Sequence, residues 1–248
     1  MARLDHVLTA AVSAVLFAAC GKDNGSNPNT GPYACLGDPL PTTAPANVTV
    51  TGIVTKGVIS PAPDSGATIT AYRTGNATPL GQTTSAANGS FTLNPATGGT
   101  PIDGFLQVEH TGFITTFAYP AEPLAANSAQ SVVLVTTTEF NALSFAAGVT
   151  QDAGKGFIAV VVENCDGDPV AGATVTTNPA GTYRYNAGGV PSDSATATAA
   201  DGIAYVFNVG PGDVVVQAQG GGHTLRAHTV NASTSGIVLT AITPGPAQ

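Results

Sequence analysis

The side chains best suited to chemistry in this sequence form a short run of oxygen ligands: Asn164, Asp166 and Asp168. Calcium prefers carboxylate and carbonyl oxygens, and alternating Asn and Asp residues begin many calcium-binding loops. Such a loop ends in a bidentate Glu, whereas here the run is followed by Pro169 and Val170. Asp-Gly-Asp-Pro is also typical of a turn between two strands. We interpret the run as a turn, with calcium binding kept as the alternative at these three residues.

Three histidines follow the first twenty residues: His110, His223 and His228. Zinc would need two of them with a carboxylate such as Glu109. His223 and His228 are five positions apart, so on one regular strand their side chains would face opposite sides of the sheet. The hydrolase patterns G-x-S-x-G, S-x-x-K and H-E-x-x-H are missing from the sequence. We therefore expect a protein that is not an enzyme and has no metal or cofactor.

Cysteine chemistry concerns the pair Cys35 and Cys165. In an oxidising compartment of the cell envelope such a pair can form a disulfide, which would tie the end of the N-terminal segment to the second half of the chain. Two separate free thiols are the alternative, and the sequence does not decide between them.

The N-terminal residues 1–19 have the pattern of an export signal. Arg3 supplies a positive charge, and the apolar stretch from Val7 to Ala19 has 13 residues. A transmembrane helix needs about 20 apolar residues, so this stretch is too short to span a bilayer. Small residues precede Cys20, and an ordinary signal peptide cut near Ala19 would explain them equally well.

The stretch from Leu16 to Gly21 resembles the lipobox of bacterial lipoproteins, with Phe17 where that family more often has Leu. The resemblance implies that Cys20 is diacylated and becomes the new amino terminus. Residues 21–32 are polar and rich in Gly and Asn, as a tether between lipid and domain should be. Because Gly21 replaces the Asp of the inner-membrane retention rule, the expected location is the outer membrane, with the chain facing the periplasm or the surface.

The composition predicts an all-β protein and excludes some partners. The chain has 30 Gly and 18 Pro, and its 43% of hydrophobic residues is high for a disordered protein. Its net charge is −8, with seven scattered Lys and Arg residues. Nucleic-acid binding needs clustered cations, so we expect no nucleic-acid partner. The expected contacts are the membrane, through the lipid, and an unknown protein or polysaccharide.

Two segments share the pattern P-x-x-G-A-T-[IV]-T, beginning at Pro63 and at Pro169. Each pattern follows an apolar run that could be a first strand, and each is followed later by Asn88-Gly89 or Asp201-Gly202, dipeptides that favour hairpins. Alternating apolar residues such as Ala67, Ile69 and Ala71 indicate strands with one buried face. Between the copies, Thr136 and Glu139 can form the capping box of a short helix.

The second copy, from Cys165 to Ala173 and then from Thr198 to Gly202, resembles the carboxypeptidase regulatory-like domain. In the first copy, Phe105 to Phe113 resembles that family's strand with a Gly-aromatic corner. The resemblance implies tandem β-sandwiches of transthyretin-like or immunoglobulin-like type. The predicted divisions are a lipoprotein signal peptide at 1–19, a lipidated tether at 20–45, a first sandwich at 46–137, a connector with a short helix at 138–155, and a second sandwich at 156–243.

These observations predict a non-catalytic, membrane-anchored envelope lipoprotein that acts as a structural, adhesion or protein-binding module. A carbohydrate-binding lipoprotein is the alternative. We rank it second because the chain has no Trp and its six Tyr are dispersed along the sequence, whereas aromatic platforms usually carry sugar binding. An enzyme of unrecognised type is the third interpretation.

Overall fold

The computed structural model describes residues 31–58 and 60–245. The predicted signal peptide, Cys20 and residues 21–30 of the predicted tether lie outside these residues. The described chain is built of strands around apolar cores, with one short α-helix among its described residues, so the predicted all-β class is confirmed.

The first predicted segment contains eight strands, and the helix follows the last of them. They are β1 (Val50–Lys56), β2 (Ala62–Pro63), β3 (Thr68–Arg73), β4 (Pro79–Thr84), β5 (Ser90–Leu93), β6 (Gly104–Glu109), β7 (Thr115–Tyr119), β8 (Ser128–Leu134) and α1 (Thr137–Ala146). Strand β1 lies between β8, which runs parallel to it, and β5 and β2, which run antiparallel. This sheet packs on a second one of order β7-β6-β3-β4.

The second predicted segment contains nine strands. They are β9 (Gly156–Val162), β10 (Thr174–Asn178), β11 (Thr182–Ala187), β12 (Val190–Ser192), β13 (Ile203–Val209), β14 (Gly212–Gly220), β15 (His223–Thr224), β16 (His228–Ala232) and β17 (Gly236–Ile242). One sheet has the order β12-β11-β13-β9-β17, and a smaller one joins β14 to β10, β15 and β16.

The backbone hydrogen bonds repeat between the two segments. The N–H of Asp64 donates to the carbonyl of Val54, and the N–H of Val170 donates to the carbonyl of Val162. Strand β8 runs parallel to β1 just as β17 runs parallel to β9. Because Val54 corresponds to Val162 and their strand partners are Val132 and Ile242, β8 is the structural equivalent of β17. The P-x-x-G-A-T copies therefore belong to equivalent sandwiches.

The Asn-Gly and Asp-Gly dipeptides do not form the predicted hairpins, because the strands on either side of each turn do not pair with each other. Gly89 and Gly202 instead bring the turn against the first strand of each unit. Their carbonyls accept hydrogen bonds from Val54 and Val162. A Cβ atom would lie 2.4 Å from the Val54 carbonyl oxygen at Gly89, and 2.6 Å from that of Val162 at Gly202. Both glycines have positive φ, so close approach and backbone conformation together require glycine.

The two units are joined edge to edge. Strand β17 of the second unit pairs in parallel with β7 of the first, from Gly236 opposite Thr115 to Thr240 opposite Tyr119. A nine-stranded sheet therefore runs through both sandwiches in the order β12-β11-β13-β9-β17-β7-β6-β3-β4. The predicted domain boundaries stay a prediction.

Three apolar cores lie against the long sheet. One fills the first sandwich and includes Ile69 and Leu134. Another fills the second sandwich and includes Ile158 and Val216. The third lies on the opposite face of the second unit's strands, where Phe157 packs with side chains of β8 and α1. This third core exists because side chains alternate along β9, so that Phe157 and Ile158 face opposite sides.

Helix α1 begins at the predicted capping box. The Thr136 hydroxyl accepts a hydrogen bond from the Glu139 N–H, and the Glu139 carboxylate accepts one from the Thr136 N–H. Each residue thus satisfies a backbone donor at the open end of the helix. The helix ends near Gly148, which has φ of 62°. It lies across the third core, where the Phe140 ring meets that of Phe157 with centroids 5.0 Å apart.

Candidate functional site

A cleft of about 410 Å³ lies between the two units. Its floor is the third-core face of the long sheet, and its walls are helix α1 and the strands β1 and β8. Ligand cavities in proteins usually measure about 300 to 1,000 Å³ and are mainly apolar. The cleft therefore has the size and position of a binding site.

The floor of the cleft is made by alternate residues of parallel strands. Ala159 and Val161 on β9 and Leu239 on β17 lie side by side and are only half-buried. The opposite face of β9 is well packed, since Ile158 and Val160 are fully buried there. These floor residues thus offer apolar surface that no described element covers.

The helical wall is also apolar, with Phe140, Ala142, Leu143 and Ala146 lining the cleft. On the same helix, Phe145 is 88% exposed. An exposed phenylalanine beside an apolar cleft enlarges the surface available to a partner, since contiguous apolar patches commonly mark interaction sites.

The residues that line the cleft carry little charge. Among the described residues that line it, Glu139 is the one with an ionisable acidic or basic side chain. Its Oε2 atom accepts hydrogen bonds from the Thr136 N–H and hydroxyl at 2.9 and 2.8 Å. The Tyr205 phenol also lines the cleft, and burial raises its pKa to about 12, so it stays neutral. The cleft is suited to neutral or cationic apolar groups and not to anions.

Strand β8 borders the cleft with an open edge. Its even-numbered residues bond toward β1: the Ser128 N–H donates to Thr49, and the Leu134 carbonyl accepts from Gly57. The odd-numbered residues point the other way, where the Val133 carbonyl accepts from the Thr116 hydroxyl at 3.2 Å. Nothing in the described part of the chain bonds to the outward N–H and C=O groups of the residues before it on this edge, 129 and 131.

The residues of the calcium hypothesis form a closed turn. The Asn164 side-chain oxygen accepts hydrogen bonds from the N–H groups of Asp166 and Asp168, both at 2.9 Å. The carboxylates of Asp166 and Asp168 belong to exposed residues. The structure thus places the three residues together, with the amide oxygen engaged by the backbone of its own turn.

Each of the three histidines contacts a different residue. His110 pairs with Asp64, His223 packs on the Tyr33 ring with centroids 4.6 Å apart, and His228 is buried with Nδ1 3.0 Å from the Thr240 hydroxyl. Burial lowers the pKa of His228 to about 4. Within residues 31–58 and 60–245, no group of three or more His, Cys, Asp or Glu residues could hold a metal ion.

Cys35 and Cys165 are joined in a disulfide, with their Cα atoms 5.7 Å apart. The N–H of Cys165 also donates to the carbonyl of Pro32 at 2.8 Å. The bond fixes the start of the described chain to the turn after β9. A disulfide of this kind is typical of proteins that fold outside the cytoplasm.

A charged cluster that the sequence did not reveal lies in the first sandwich. Asp64 is fully buried, with Oδ1 3.3 Å from the Lys56 ammonium and Oδ2 2.5 Å from His110 Nδ1. A carboxylate that orients an imidazole is one part of a catalytic triad. A hydroxyl or thiol on the other ring nitrogen would complete it, and the described residues place none there. The contacts with Lys56 and His110 compensate the burial of the Asp64 carboxylate. The residues around Asp64 in the sequence do not reveal this cluster.

Aromatic residues that are dispersed in the sequence meet on the face of β3, β6 and β7 opposite the first core, where Phe105, Phe117 and Tyr119 pack against the second core. The Phe105 ring lies 5.5 Å from that of Tyr72, 4.9 Å from Tyr119 and 6.0 Å from Phe117. Alternation along the strands puts all four rings on one face of the sheet. Strand pairing therefore brings Tyr72 and Tyr119 into one row with Phe105, although they are far apart in the sequence.

None of the helices among the described residues is long and apolar enough to cross a membrane. The predicted lipidation site, Cys20, lies outside these residues.

No family model and no curated protein matches the chain. Among solved structures, it is similar to the shaft pilin SpaA of Lactobacillus rhamnosus GG (D295N mutant), with 12% identity over 82% of this chain and 98% of the pilin, and a TM-score of 0.26. It is also similar to GBS52, a minor pilin of Streptococcus agalactiae, with 12% identity over 81% of this chain and 98% of that one, and a TM-score of 0.24.

Similarity to enzymes covers less of the chain. Hydroxyquinol 1,2-dioxygenase of Pseudomonas putida DLL-E4 is 12% identical over 41% of this chain, with a TM-score of 0.28, and 3-chlorocatechol 1,2-dioxygenase of Rhodococcus opacus 1CP has the same identity and TM-score over 44%. The chain spans 60% and 66% of the length of these two proteins. At such scores, neither the pilins nor the dioxygenases transfer a function to this chain.

Proposed function

We propose that the protein is a non-catalytic module of the cell envelope that binds a protein partner in the cleft between its two units. The observation that carries the proposal is the cleft itself, about 410 Å³ in volume and lined by apolar side chains of both units and of α1. The disulfide between Cys35 and Cys165 supports a location outside the cytoplasm.

The physical support is the uncovered apolar surface. Burying apolar area stabilises a complex by about 25 cal/mol per Å² before the costs of association. Ala159, Val161 and Leu239 lie half-buried on the floor, and Phe145 is exposed beside it. The continuous sheet under the cleft fixes this surface before a partner arrives, which lowers the ordering cost of binding.

The proposal is tested with a neutral apolar dye, Nile red, and a variant that fills the cleft. Ala159→Trp places a large ring on the floor, and Ala180→Trp adds the same ring at an exposed position between β10 and β11, away from the cleft lining. We expect Nile red fluorescence to rise with the native protein and with Ala180→Trp, and to rise at least tenfold less with Ala159→Trp. Equal dye binding by all three proteins would show that the cleft is not the binding site.

The proposed attachment to the envelope is the lipid on Cys20. It is supported by the sequence from Leu16 to Gly21 and by the polar residues 21–32 that follow. Two acyl chains give stable anchoring where one gives only reversible binding. The disulfide joins the end of this tether to the second unit, so the lipid would keep the cleft near the membrane, on its periplasmic or outer surface.

Carbohydrate binding is a second candidate, favoured by the stacked rings of Tyr72 and Phe105, which are half-buried, whereas Tyr119 of the same row is buried. Aromatic faces stack on the apolar faces of sugar rings, and the exposed Gln82 provides a polar group on a neighbouring part of the sheet. Titration with soluble polysaccharides, comparing the native protein with Tyr72→Ala, tests this candidate. A lack of binding by the native protein would eliminate it.

A further inference from the structure

We infer that the partner binds in an extended conformation and adds a parallel strand to the open edge of β8, over the apolar floor of the cleft. This inference rests on the proposed function and specifies the partner. The partner is a short segment of a protein chain with an apolar side chain at every second residue and without acidic residues.

The open edge provides the backbone groups for such a strand. The N–H and C=O groups of Ala129 and Ser131 and the N–H of Val133 point away from β1 and have no hydrogen-bond partner in the described residues. A compact small molecule cannot pair with groups spaced along a strand at about 3.3 Å per residue. An extended backbone pairs with all of them, as in other cases of strand addition to a sheet edge.

The second unit shows what covers this edge when it is occupied. Strand β17 is the equivalent of β8, and its outer edge is paired in parallel with β7. The correspondence of Val132 with Ile242 matches residues 236–240, which pair with β7, to residues 126–130, of which 128–130 are the start of β8. The same edge thus carries a strand in one unit and is open in the other. We therefore expect the partner to run parallel to β8.

The residues that line the cleft determine which side chains of the partner fit. Residues alternate along a strand, so every second side chain of the added strand faces the floor made by Ala159, Val161 and Leu239. These residues leave room for branched apolar side chains and offer no hydrogen bonds to polar ones. The net charge of −8 and Glu139 on the wall disfavour acidic residues in the partner. A neutral or basic segment of alternating Val and Thr meets these conditions.

The probe is a fluorescently labelled peptide, Lys-Thr-Val-Thr-Val-Thr-Lys with blocked ends, measured by fluorescence anisotropy against the exported protein with its disulfide intact. A peptide with Ser in place of Val has the same charge and controls for non-specific attraction. A third peptide carries N-methyl groups on the alternate residues whose N–H groups face β8 when the Val side chains face the floor, which removes these donors without changing the side chains. We expect this peptide to bind at least tenfold more weakly than the parent.

Two variants of Ser131 test the contribution of its backbone N–H group. Ser131→Pro removes an outward N–H at an edge position, where proline is tolerated because no bond to β1 is lost. Ser131→Ala keeps that N–H. We expect Ser131→Pro to weaken peptide binding at least tenfold and Ser131→Ala to leave it within about twofold of native. Equal affinity of both variants, or of the methylated and parent peptides, would overturn strand addition.

The outcomes separate this inference from the proposed function. If Ala159→Trp abolishes binding of the Val peptide while Ser131→Pro does not alter it, the cleft is the site and strand addition is wrong. If Ala159→Trp also leaves peptide binding and Nile red binding unchanged, both the inference and the proposed function are wrong. Circular dichroism and melting of Ser131→Pro establish that a loss of binding does not come from unfolding.

Discussion

Replacement of Glu163 by Gln should stabilise the protein at neutral and alkaline pH. The Glu163 side chain is fully buried after β9, and neither carboxyl oxygen has a hydrogen-bond partner among the described residues. Burial raises the pKa of this carboxyl from 4.5 to about 7. A charged carboxylate in this position costs free energy because no cation or donor compensates its lost hydration.

The magnitude and sign follow from proton linkage. The folded protein binds the Glu163 proton more tightly than the unfolded chain, so the stabilising effect of that proton is fully present below pH 4.5. It is lost as the pH rises from 4.5 through about 7. A tenfold change in proton affinity corresponds to about 1.4 kcal/mol, so the loss at pH 8 is about 3 kcal/mol. Gln cannot ionise, so the Glu163→Gln protein should keep this stability.

His228 acts in the opposite direction. Its pKa is lowered by burial, and next by the nearby Arg226, from 6.5 to about 4. The stability that comes from neutral His228 is present above pH 6.5 and lost as the pH falls through about 4. The native pH profile therefore combines two opposing slopes between about 4.5 and 6.5. The difference between native and Glu163→Gln proteins isolates the carboxyl.

The assay is urea unfolding at pH 4.5, 6 and 8, with Glu109→Gln as control because Glu109 is exposed. We expect the Glu163→Gln protein to match the native one at pH 4.5 and to exceed it by about 3 kcal/mol at pH 8. Glu109→Gln should change stability little at any of the three values. If Glu163→Gln is equally or less stable than native at pH 8, the carboxylate has a partner in solution, and the reasoning from burial fails.

Three further predictions concern the cysteines and calcium. Cys35→Ser should lower the free energy of unfolding by about 2 to 5 kcal/mol, since the disulfide links residues 130 positions apart; a stability equal to that of the native protein in non-reducing buffer would contradict it. Millimolar calcium should not raise the melting temperature, because Asn164 is engaged in its turn; a rise that vanishes in Asp166→Ala would show a calcium site. Cys20→Ser should abolish labelling by an alkynyl fatty acid, and equal labelling of both proteins would refute the lipidation hypothesis.

Local features of the fold were predictable from sequence. The capping box of Thr136 and Glu139 involves residues three positions apart, so composition and spacing reveal it directly. The same holds for the buried faces of Ala67, Ile69 and Ala71, since alternation along one strand decides which side faces the core. The two copies of P-x-x-G-A-T likewise led to the repeated sandwich.

The cleft and the joined sheet were not predictable in this way. They depend on the pairing of β7 with β17, whose paired residues Thr115 and Gly236 are far apart in sequence. No local pattern encodes which sheet edges meet. Glu163 was equally hidden, because a Glu after a strand is usually exposed and only long-range packing buries it. The pairing of Asp64 with His110 has the same cause.

The most direct test of a binding site beside β8 is amide hydrogen exchange measured by NMR, with and without the Lys-Thr-Val-Thr-Val-Thr-Lys peptide. In the free protein, the outward amides of Ser131 and Val133 should exchange faster than the inward amide of Val132, which belongs to the ladder with β1. Saturating peptide should slow exchange at Ser131 and Val133 at least tenfold and leave Val132 nearly unchanged. Unchanged exchange at Ser131 and Val133 under conditions where the peptide is bound would contradict the account.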